Sequence, residues 1–354
     1  MPDIAIFGVT GQGTNDGSGP RMREELPPLP DGLAHERMGD MSAPGSSSIA
    51  CVGGTSMDRR ALTSGPLRPG SSNPVVSTLK PGGVSRNVAE ALARLGCDVA
   101  LFSIVGEDEA GRVLLGGLSD AGVDVAGVIC SARHPTGAYT AVLGPSGRLE
   151  FGLADMEIFE QADATWAAGL APALSSREIW FVDANLPAEA LSALLAAKPI
   201  GATVLADPVS VAKSERLRPV LSGIDLLFPD RLEAGALSRM PAVISEEQVA
   251  GAAERILGMG PGAVVVTLGS EGVFVADGDR CEVVPAIAPR GPLSDVTGAG
   301  DALVAGYIFG LSRKRGDPLQ LGLAAASLAL EGGGNLSMLS ADRVVERARA
   351  ERAD

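Results

Sequence analysis

The sequence predicts an α/β fold in which a mainly parallel β-sheet is covered by helices on both faces. Short apolar segments typical of buried strands alternate along the chain with segments whose apolar residues recur at helical spacing. The composition is 45% hydrophobic but only 3% aromatic, so we expect a core built mostly of Ala, Val and Leu. A chain of 354 residues has room for one large α/β domain or for two smaller ones.

The predicted domain begins with the buried strand Ile49–Val52, which runs into the glycine pair Gly53-Gly54. A helix with an apolar face over residues 88–95 follows, and Gly96 ends it. The remaining candidates are a helix at 107–121 and strands at 99–105, 179–182, 203–206, 226–228 and 263–268. Strands separated by helices of this size indicate a parallel sheet.

Two stretches interrupt the alternation of strands and helices. Residues 67–79 are rich in Pro and Ser and read as extended chain, and residues 136–154 alternate in strand fashion around a turn at 144–147. We expect these stretches to form a small β lid, from about 57–80 and 136–154. An antiparallel edge of the main sheet is the alternative that the strand pattern leaves open.

Residues 1–48 are expected to form a disordered extension outside this domain. Residues 4–13 resemble a strand that enters a glycine-rich dinucleotide loop, but such a loop binds pyrophosphate only when a helix follows it. Gly, Ser and Pro residues follow instead, and they argue against a nucleotide site here. We expect the domain to begin at residue 49, with Met38 or Met41 as candidate start residues.

Composition excludes several classes of function. The net charge of −14 argues against a nucleic-acid partner. Only two histidines are present, His35 and His134. This number argues against a Ser-His-Asp triad and against a metal site built from several histidines. The four cysteines are far apart and favour a reducing compartment, and no apolar run is long enough to span a bilayer. We expect a cytoplasmic protein without a membrane partner.

The strongest motif covers residues 295–301, which read DVTGAGD and lead into an apolar helix. Gly298, Ala299 and Gly300 can expose backbone N–H groups at a helix N-terminus, where an anion binds. Asp301 lies beside that loop and is a candidate general base for a hydroxyl that attacks phosphorus. A glycine turn with Asp301 as a helix cap is the structural alternative.

Three further segments follow predicted strands or open predicted helices. Gly82 and Gly83 allow close approach of a ligand to the backbone, and Asn87 can bond hydroxyl groups. Asp58 follows the first strand, where a parallel sheet forms its binding crevice. The loop from Thr267 to Gly272 follows another strand and is a candidate phosphate contact. Ordinary turn chemistry is the alternative for each segment.

Taken together and in this order, these segments resemble the pfkB (ribokinase-like) family of carbohydrate and nucleoside kinases. Gly82-Gly83 and the following helix are similar to the family's first signature, and residues 295–301 match its second. The resemblance runs from about residue 49 to about residue 341. It implies a three-layer α/β/α sandwich with a mainly parallel central sheet and a small β lid.

The resemblance also implies roles for individual residues. Asp301 would be the catalytic base, and Gly298, Ala299 and Gly300 would form an anion hole. The expected acceptor-binding residues are Asp58, Gly82, Gly83, Asn87 and Asn185. The expected ATP-binding residues are Thr267, Gly269, Gly272 and Asp230, and Glu233 would act on the Mg²⁺ side. The family uses ATP and Mg²⁺, frequently with K⁺, and its lid often forms a homodimer contact.

One position departs from the family pattern. The family usually has Asn where this chain has Asp230, three residues before Glu233. An ionised Asp only accepts hydrogen bonds, whereas Asn can also donate to a phosphate oxygen. Asp230 is therefore expected to repel phosphate or to shift toward Mg²⁺ coordination.

Four phrases resemble the members of the family that phosphorylate pseudouridine at O5′. They lie at residues 72–75, 82–90, 153–156 and 207–213, and residues 183–186 add to them. The expected substrate is therefore pseudouridine, which is a small molecule. Ribose, fructose or adenosine as acceptors, and a non-catalytic nucleoside-binding sensor, are the alternatives.

Overall fold

The computed structural model describes residues 47–240, 243–291, 296–314 and 316–351. The predicted N-terminal extension lies outside the described residues except for Ser47 and Ser48. The Ser47 N–H donates to the carbonyl oxygen of Ser312 at 3.2 Å, and the Ser48 carbonyl accepts from the N–H of Ile179 at 3.2 Å. The chain is therefore bound to the domain from Ser47 onward.

The strands and helices occur in the order that the sequence patterns predict, with additions. The strands are β1 Ile49–Val52, β2 Ser56–Thr63, β3 Val75–Gly82, β4 Val99–Gly106, β5 Asp124–Ser131, β6 Gly137–Leu143, β7 Leu149–Asp155, β8 Ile179–Asp183, β9 Thr203–Asp207, β10 Leu226–Leu227, β11 Ala263–Thr267, β12 Val273–Ala276 and β13 Cys281–Val284. The α-helices are α1 Val84–Arg94, α2 Glu109–Asp120, α3 Ala164–Gly169, α4 Ala171–Leu174, α5 Ala188–Ala196, α6 Val211–Ser214, α7 Arg231–Ser238, α8 Glu246–Leu257, α9 Ala299–Arg313, α10 Pro318–Glu331 and α11 Ala341–Ala350. Short 3₁₀ helices cover Glu157–Gln161, Glu215–Gly223, Gly269–Glu271 and Leu336–Met338.

The central sheet is mainly parallel, as predicted. Within the described residues its strand order is β13-β12-β11-β10-β9-β8-β1-β4-β5. β1 lies between β4 and β8 with both pairings parallel, whereas β12 and β13 add an antiparallel edge. The sequence patterns did not predict these two edge strands, since each is only four residues long.

Helices cover both faces of this sheet. Cys51, Leu101 and Phe181 point to the face where α1, α9 and α10 complete the main core. Ala50 and Trp180 alternate with them along the strands and are also fully buried, so the opposite face is covered too. The observed architecture is the expected three-layer sandwich.

The apolar positions and the final glycine that predicted helix α1 have clear structural roles. Its predicted apolar positions are buried against the core, and Gly96 has a φ of 76°. That conformation lets the N–H of Cys97 bond to the carbonyl oxygen of Leu92 at 3.0 Å. Such a closure favours glycine because a side chain at positive φ is strained.

The lid is a separate four-stranded sheet with the order β3-β2-β6-β7. The stretch predicted around 136–154 forms β6 and β7, and the N–H of Gly144 bonds to the carbonyl oxygen of Arg148 across their turn at 2.9 Å. β2 pairs with β6 in parallel and with β3 in antiparallel orientation. The hairpin is therefore part of a lid and not an edge of the central sheet.

In the described part of the chain, no helix combines the length and the apolar character needed to cross a membrane.

Candidate active site

The carboxyl ends of the parallel strands bring the polar residues of the site to one edge of the central sheet. β1 ends before Gly53-Gly54, β8 ends at Asp183 and β9 ends at Asp207. Asp183 and Asp207 are paired neighbours in the register of β8 and β9. Such an edge is where open parallel sheets form their binding crevice.

The two signature segments meet through a direct hydrogen bond. Nδ2 of Asn87, in the first turn of α1, donates to Oδ2 of Asp301, in the first turn of α9, at 2.7 Å. The two residues are 214 positions apart in the chain, so tertiary folding creates the pair. The bond also sets the orientation of the Asn87 amide, because only its nitrogen can donate to a carboxylate.

The environment of Asp301 favours proton transfer near neutral pH. Burial raises the pKa of Asp301 to about 7, and the charges of Asp183 and Asp58 add to the rise. The hydrogen bond from Asn87 and the charge of Arg86 act in the opposite direction. A carboxyl with this pKa can accept a proton and release it again at physiological pH.

The start of α9 has the features of an anion-binding loop. Gly298 caps the helix with a φ of 81°, and Asp301 is an acidic residue of the first turn. Gly300 is exposed and has open space where a side chain would lie. The N–H groups of Gly300 and Asp301 belong to the first turn, whose donors have no acceptor within the helix. The N–H of Ala299 bonds to the carbonyl oxygen of Val296 at 3.4 Å. Asp295, in the same motif, lies outside the described residues.

The glycines at the start of α1 are required by close contacts. A Cβ on Gly82 would overlap the carboxylate of Asp58, and a Cβ on Gly83 would overlap the carbonyl oxygen of Gly54. Gly83 also has a φ of 96°. The carboxylate of Asp58 therefore lies directly over the backbone at Gly82. Burial raises its pKa, while a hydrogen bond from the Ser56 hydroxyl at 2.9 Å opposes the rise.

Asp183 organises this side of the site, and the sequence patterns did not identify its role. Its fully buried carboxylate accepts from the N–H groups of Gly54 at 2.9 Å, Ser85 at 2.8 Å and Asn185 at 2.9 Å. It thus joins the turn after β1, the start of α1 and the loop after β8. Its place at the end of an apolar strand was the available signal.

Asn185 packs against the glycine turn that follows β1. It is 4% exposed, and its Nδ2 lies against Gly54, where a Cβ would overlap it. Its Oδ1 accepts from Nζ of Lys213 at 2.5 Å. Burial lowers the pKa of Lys213. The Asn185 amide is therefore packed against the glycine turn and does not line the cavity described below.

The residues expected on the nucleotide side lie around the end of β11. The Thr267 N–H bonds to the carbonyl oxygen of Pro229 at 2.9 Å, which brings Thr267 beside Asp230. Gly269 has a φ of 65° and open space around it. Gly272 has a φ of 106° and packs so closely on the backbone of Val284 that a Cβ would overlap it.

Asp230 and Glu233 form a capping box at the start of α7. Oδ1 of Asp230 accepts from the N–H of Glu233 at 2.7 Å, and Oε2 of Glu233 accepts from the N–H of Asp230 at 2.8 Å. An Asp is as good an N-cap as Asn, so the departure from the family pattern is compatible with the helix. Burial raises the pKa of Glu233 to about 7, and the charge of Asp230 adds to the rise.

The carboxyl groups of Asp207, Glu233 and Asp301 lie close enough for the charges of Glu233 and Asp301 to act on Asp207. Burial raises the pKa of Asp207 well above its usual value, and the charges of Glu233 and Asp301 raise it further. Carboxylate oxygens are the hard donors that Mg²⁺ prefers. Within the described residues, no group of three or more His, Cys, Asp or Glu is placed to hold a metal ion by itself. This donor set fits Mg²⁺ that shares its coordination with phosphate oxygens.

A cavity of about 960 Å³ lies between the lid and the helix starts. Asp58 and Tyr139 line it from the lid, Asn87 from α1 and Gly298 from the anion loop. The turn around Gly333 closes its far side. Of the residues expected on the acceptor side and in the anion loop, Asp58, Asn87 and Gly298 line this cavity. Its lining does not include Gly82, Gly83, Ala299, Gly300, Asp301 or Asn185.

Comparison with known proteins gives the family. A model of the pfkB family of carbohydrate kinases matches residues 46–341. The pseudouridine kinase of Escherichia coli strain K12 is 32% identical over 260 residues, which cover 73% of this chain and 82% of that protein.

Solved structures agree with this relationship. A carbohydrate kinase from Agrobacterium tumefaciens is 29% identical, with a TM-score of 0.72, covering 86% of this chain and 97% of that one. A ribokinase from Arabidopsis thaliana, complexed with ribose and ATP, is 22% identical with a TM-score of 0.72, covering 86% of this chain and 99% of that one. At that identity the likeness shows the fold alone. The signatures, the site they form and the family match lead to one conclusion: the chain belongs to the pfkB family of carbohydrate kinases, whose members are ATP-dependent phosphotransferases.

Proposed function

We propose that this kinase transfers the γ-phosphoryl group of ATP to the 5′-hydroxyl of pseudouridine, giving pseudouridine 5′-phosphate. The hydrogen-bonded pair Asn87–Asp301 beside the anion loop carries the proposal of phosphoryl transfer to a hydroxyl. The choice of pseudouridine is supported by the 32% identity to the Escherichia coli enzyme and by the phrases at 72–75, 82–90, 153–156 and 207–213.

Asp301 acts as the general base in this proposal. As the bond between O5′ and the γ-phosphorus forms, the hydroxyl proton moves to a carboxylate oxygen of Asp301. The bond from the γ-phosphorus to the bridging oxygen breaks, and ADP leaves. The N–H groups at Gly298, Ala299 and Gly300 face the charge on the transferred group, as an oxyanion hole does. Positioning and charge stabilisation supply most of the acceleration.

The acceptor ribose is held by the residues around Gly82. The carboxylate of Asp58 and the amide of Asn87 supply hydrogen bonds to its hydroxyls. Gly82 and Gly83 keep Asp58 and the glycine turn in position for the sugar, because a side chain at either glycine would overlap the Asp58 carboxylate or the Gly54 carbonyl oxygen. We assign Asn185 to the acceptor side as well, acting from behind the glycine turn.

ATP is assigned to the loop after β11, along Thr267, Gly269 and Gly272, with Asp230 nearby. We assign Glu233 to Mg²⁺ on the phosphate side, where it would hold the ion. When bound, this ion would neutralise charge on the phosphates. K⁺ activation is a further proposal from the family resemblance, tested by comparing initial rates in K⁺ and Na⁺ buffers.

We also propose a homodimer that forms through the lid. Of the 14 large apolar side chains exposed among the described residues, half lie on the lid. Leu79, Phe151 and Leu153 are each close to 60% exposed and share one face in the strand register. Exposed apolar area of this kind is typical of an interaction surface.

Light scattering after size-exclusion chromatography tests the dimer. Phe151→Glu is expected to give a monomer, because it puts a charge in the contact. Leu232→Glu is the matched control, since Leu232 is 69% exposed on α7, away from the lid. A wild-type monomer, or equal effects of the two changes, would contradict the lid contact.

A cytoplasmic location completes the proposal. It agrees with four cysteines that are all free, two buried and two exposed.

A panel of acceptors tests the substrate. Purified protein is incubated with ATP, Mg²⁺ and pseudouridine, uridine, adenosine, ribose or fructose, and ADP release is measured. We expect the highest kcat/KM for pseudouridine. A preference for ribose or fructose would replace pseudouridine while keeping the reaction class. Ligand-dependent thermal stabilisation without ADP release would favour the nucleoside sensor.

A further inference from the structure

Arg86 lies beside the pair Asn87–Asp301 and has no role in the proposed reaction. It precedes Asn87 in α1 and is 5% exposed. Its Nη1 donates to Oδ1 of Asn87 at 2.8 Å, and Nδ2 of Asn87 donates to Oδ2 of Asp301 at 2.7 Å. A buried guanidinium therefore bonds to one end of the amide whose other end bonds to the proposed base.

The bond between Arg86 and Asn87 does not follow from helix geometry alone. Side chains of consecutive residues in a helix point about 100° apart and do not face each other. Nη2 of Arg86 forms an ion pair with Glu90, which lies one turn farther along α1. With one nitrogen on Glu90 and another on Asn87, the planar guanidinium is held at two points.

Helix stability does not explain this buried guanidinium. Glu90 is also paired with Arg94, whose Nη2 lies 2.7 Å from Oε1 of Glu90, so the carboxylate keeps a partner without Arg86. Nε of Arg86 is buried and has no hydrogen-bond partner among the described residues. A buried polar atom without a partner costs stability, and a buried ion pair is often no more stabilising than apolar residues of similar volume. The bond to Asn87 is what distinguishes Arg86 from Arg94.

The two bonds of Asn87 determine which end of its amide faces Asp301. The amide oxygen accepts and the amide nitrogen donates, so the guanidinium selects the oxygen and the carboxylate selects the nitrogen. Rotation of the amide by half a turn would place its oxygen against the carboxylate and its nitrogen against the guanidinium, and both bonds would be lost. A general base must lie within hydrogen-bond reach of the hydroxyl that it deprotonates. The orientation of this amide therefore affects where the Asp301 carboxylate lies.

We propose that Arg86 is a positioning residue for phosphoryl transfer, which acts through Asn87 by keeping the amide nitrogen on the Asp301 carboxylate. Glu90 assists by holding the guanidinium, and neither residue takes part in making or breaking bonds. The proposal rests on the function proposed above and deepens it, because it adds a residue that sets the geometry of the base. It predicts that loss of Arg86 slows the transfer and changes ATP binding little.

Initial-rate kinetics test this, with the acceptor that gives the highest wild-type kcat/KM in the panel. Arg86→Met keeps a long side chain without its donors and should lower kcat by about tenfold to a hundredfold, as expected for a misplaced catalytic group. The KM for ATP should stay within about twofold. Arg94→Met is the matched control, because it removes the other partner of Glu90; its kcat should stay within about twofold of wild type. A normal kcat in Arg86→Met, or an equal loss in Arg94→Met, would overturn the proposal.

A double-mutant cycle distinguishes positioning from a general weakening of the structure. If Arg86 acts through Asn87, Arg86→Met should change kcat by less than about twofold in the Asn87→Leu background. The same loss in both backgrounds would contradict an action through Asn87. Thermal unfolding shows whether each variant is folded at the assay temperature. Arg86→Lys keeps a positive charge and a donor, so its kcat should lie between those of wild type and Arg86→Met, and it takes the place of Arg86→Met in the cycle if that variant does not fold.

Nuclear magnetic resonance observes the amide without turnover. The side-chain N–H signals of Asn87 are identified by their loss in Asn87→Leu. Their exchange with water should be at least about tenfold faster in Arg86→Met and unchanged in Arg94→Met, and equal exchange in wild type and Arg86→Met would refute the positioning of the amide.

The two measurements separate this proposal from the proposed function. If wild type releases no ADP with any acceptor while exchange depends on Arg86, the proposed function fails and the positioning of Asn87 stands. If pseudouridine is phosphorylated while kcat and exchange are independent of Arg86, the proposed function stands and the positioning role is wrong.

Discussion

The hydrogen bond between Asn87 and Asp301 makes a quantitative prediction about pH dependence. Asn87 donates to the ionised form of Asp301 and so lowers its pKa, which burial has raised to about 7. In Asn87→Leu that donor is lost, and the ionised form loses its stabilisation. A hydrogen bond to a charged group contributes about 1.5–3 kcal/mol. At about 1.4 kcal/mol per pKa unit, the pKa of Asp301 should rise by about one to two units.

The pH profile of kcat/KM measures this shift. Because the base must be deprotonated, wild-type activity should fall as the pH drops through about 7. In Asn87→Leu the acidic limb should move upward by one to two pH units, and high pH should restore part of the activity. Asn87→Leu also removes a proposed contact to the acceptor, so the plateau will be lower. The informative quantity is therefore the position of the limb. An unchanged limb would refute the reasoning.

Three further changes test other parts of the site. Asp301→Asn should lower kcat by about 10² or more. It should also stabilise the protein at pH 8, by about 1–3 kcal/mol in denaturant unfolding. The pKa of Asp301 is raised on folding, so its ionisation costs stability as the pH rises from about 4 to about 7, and full stability is present only below that range. Asp230→Asn should leave kcat unchanged or higher in initial-rate assays, because it removes charge repulsion of phosphate and keeps an N-cap; a large loss would contradict the repulsion. Gly82→Ala should raise the acceptor KM at least about tenfold, because its Cβ would displace the Asp58 carboxylate, whereas Gly65→Ala, which has open space, should not.

The parts of the fold that could be predicted from the sequence are those with a strong local signal. Buried parallel strands read as short apolar runs, and the helix that ends at Gly96 has an apolar face and a glycine stop. The edge strands β12 and β13 were missed because four residues carry too little periodicity. The strand β2 was not predicted by itself and fell only within the expected lid. It contains Asp58, Arg59 and Arg60, which interrupt the apolar pattern of a strand.

The same distinction between local motifs and contacts made by folding applies to the residues of the site. The glycines and Asp301 were predicted because they occur in short contiguous motifs whose chemistry can be recognised. The role of Asp183 depends on three backbone N–H groups that only folding brings together. The parallel pairing of β2 with β6 could not be predicted either, because a sequence pattern does not specify which strands pair. The burial of Asn185 against Gly54 has the same origin.

The most direct test of the account is identification of the product formed from pseudouridine and ATP by wild type and by Asp301→Asn. The account predicts pseudouridine 5′-phosphate, recognised by mass and by the phosphorus–proton coupling to the 5′ methylene group, in equal amount to ADP. Under the same conditions Asp301→Asn should form it at least about a hundredfold more slowly. Phosphorylation at another hydroxyl, ADP release without a phosphorylated nucleoside, or near-normal product formation by the variant would contradict it.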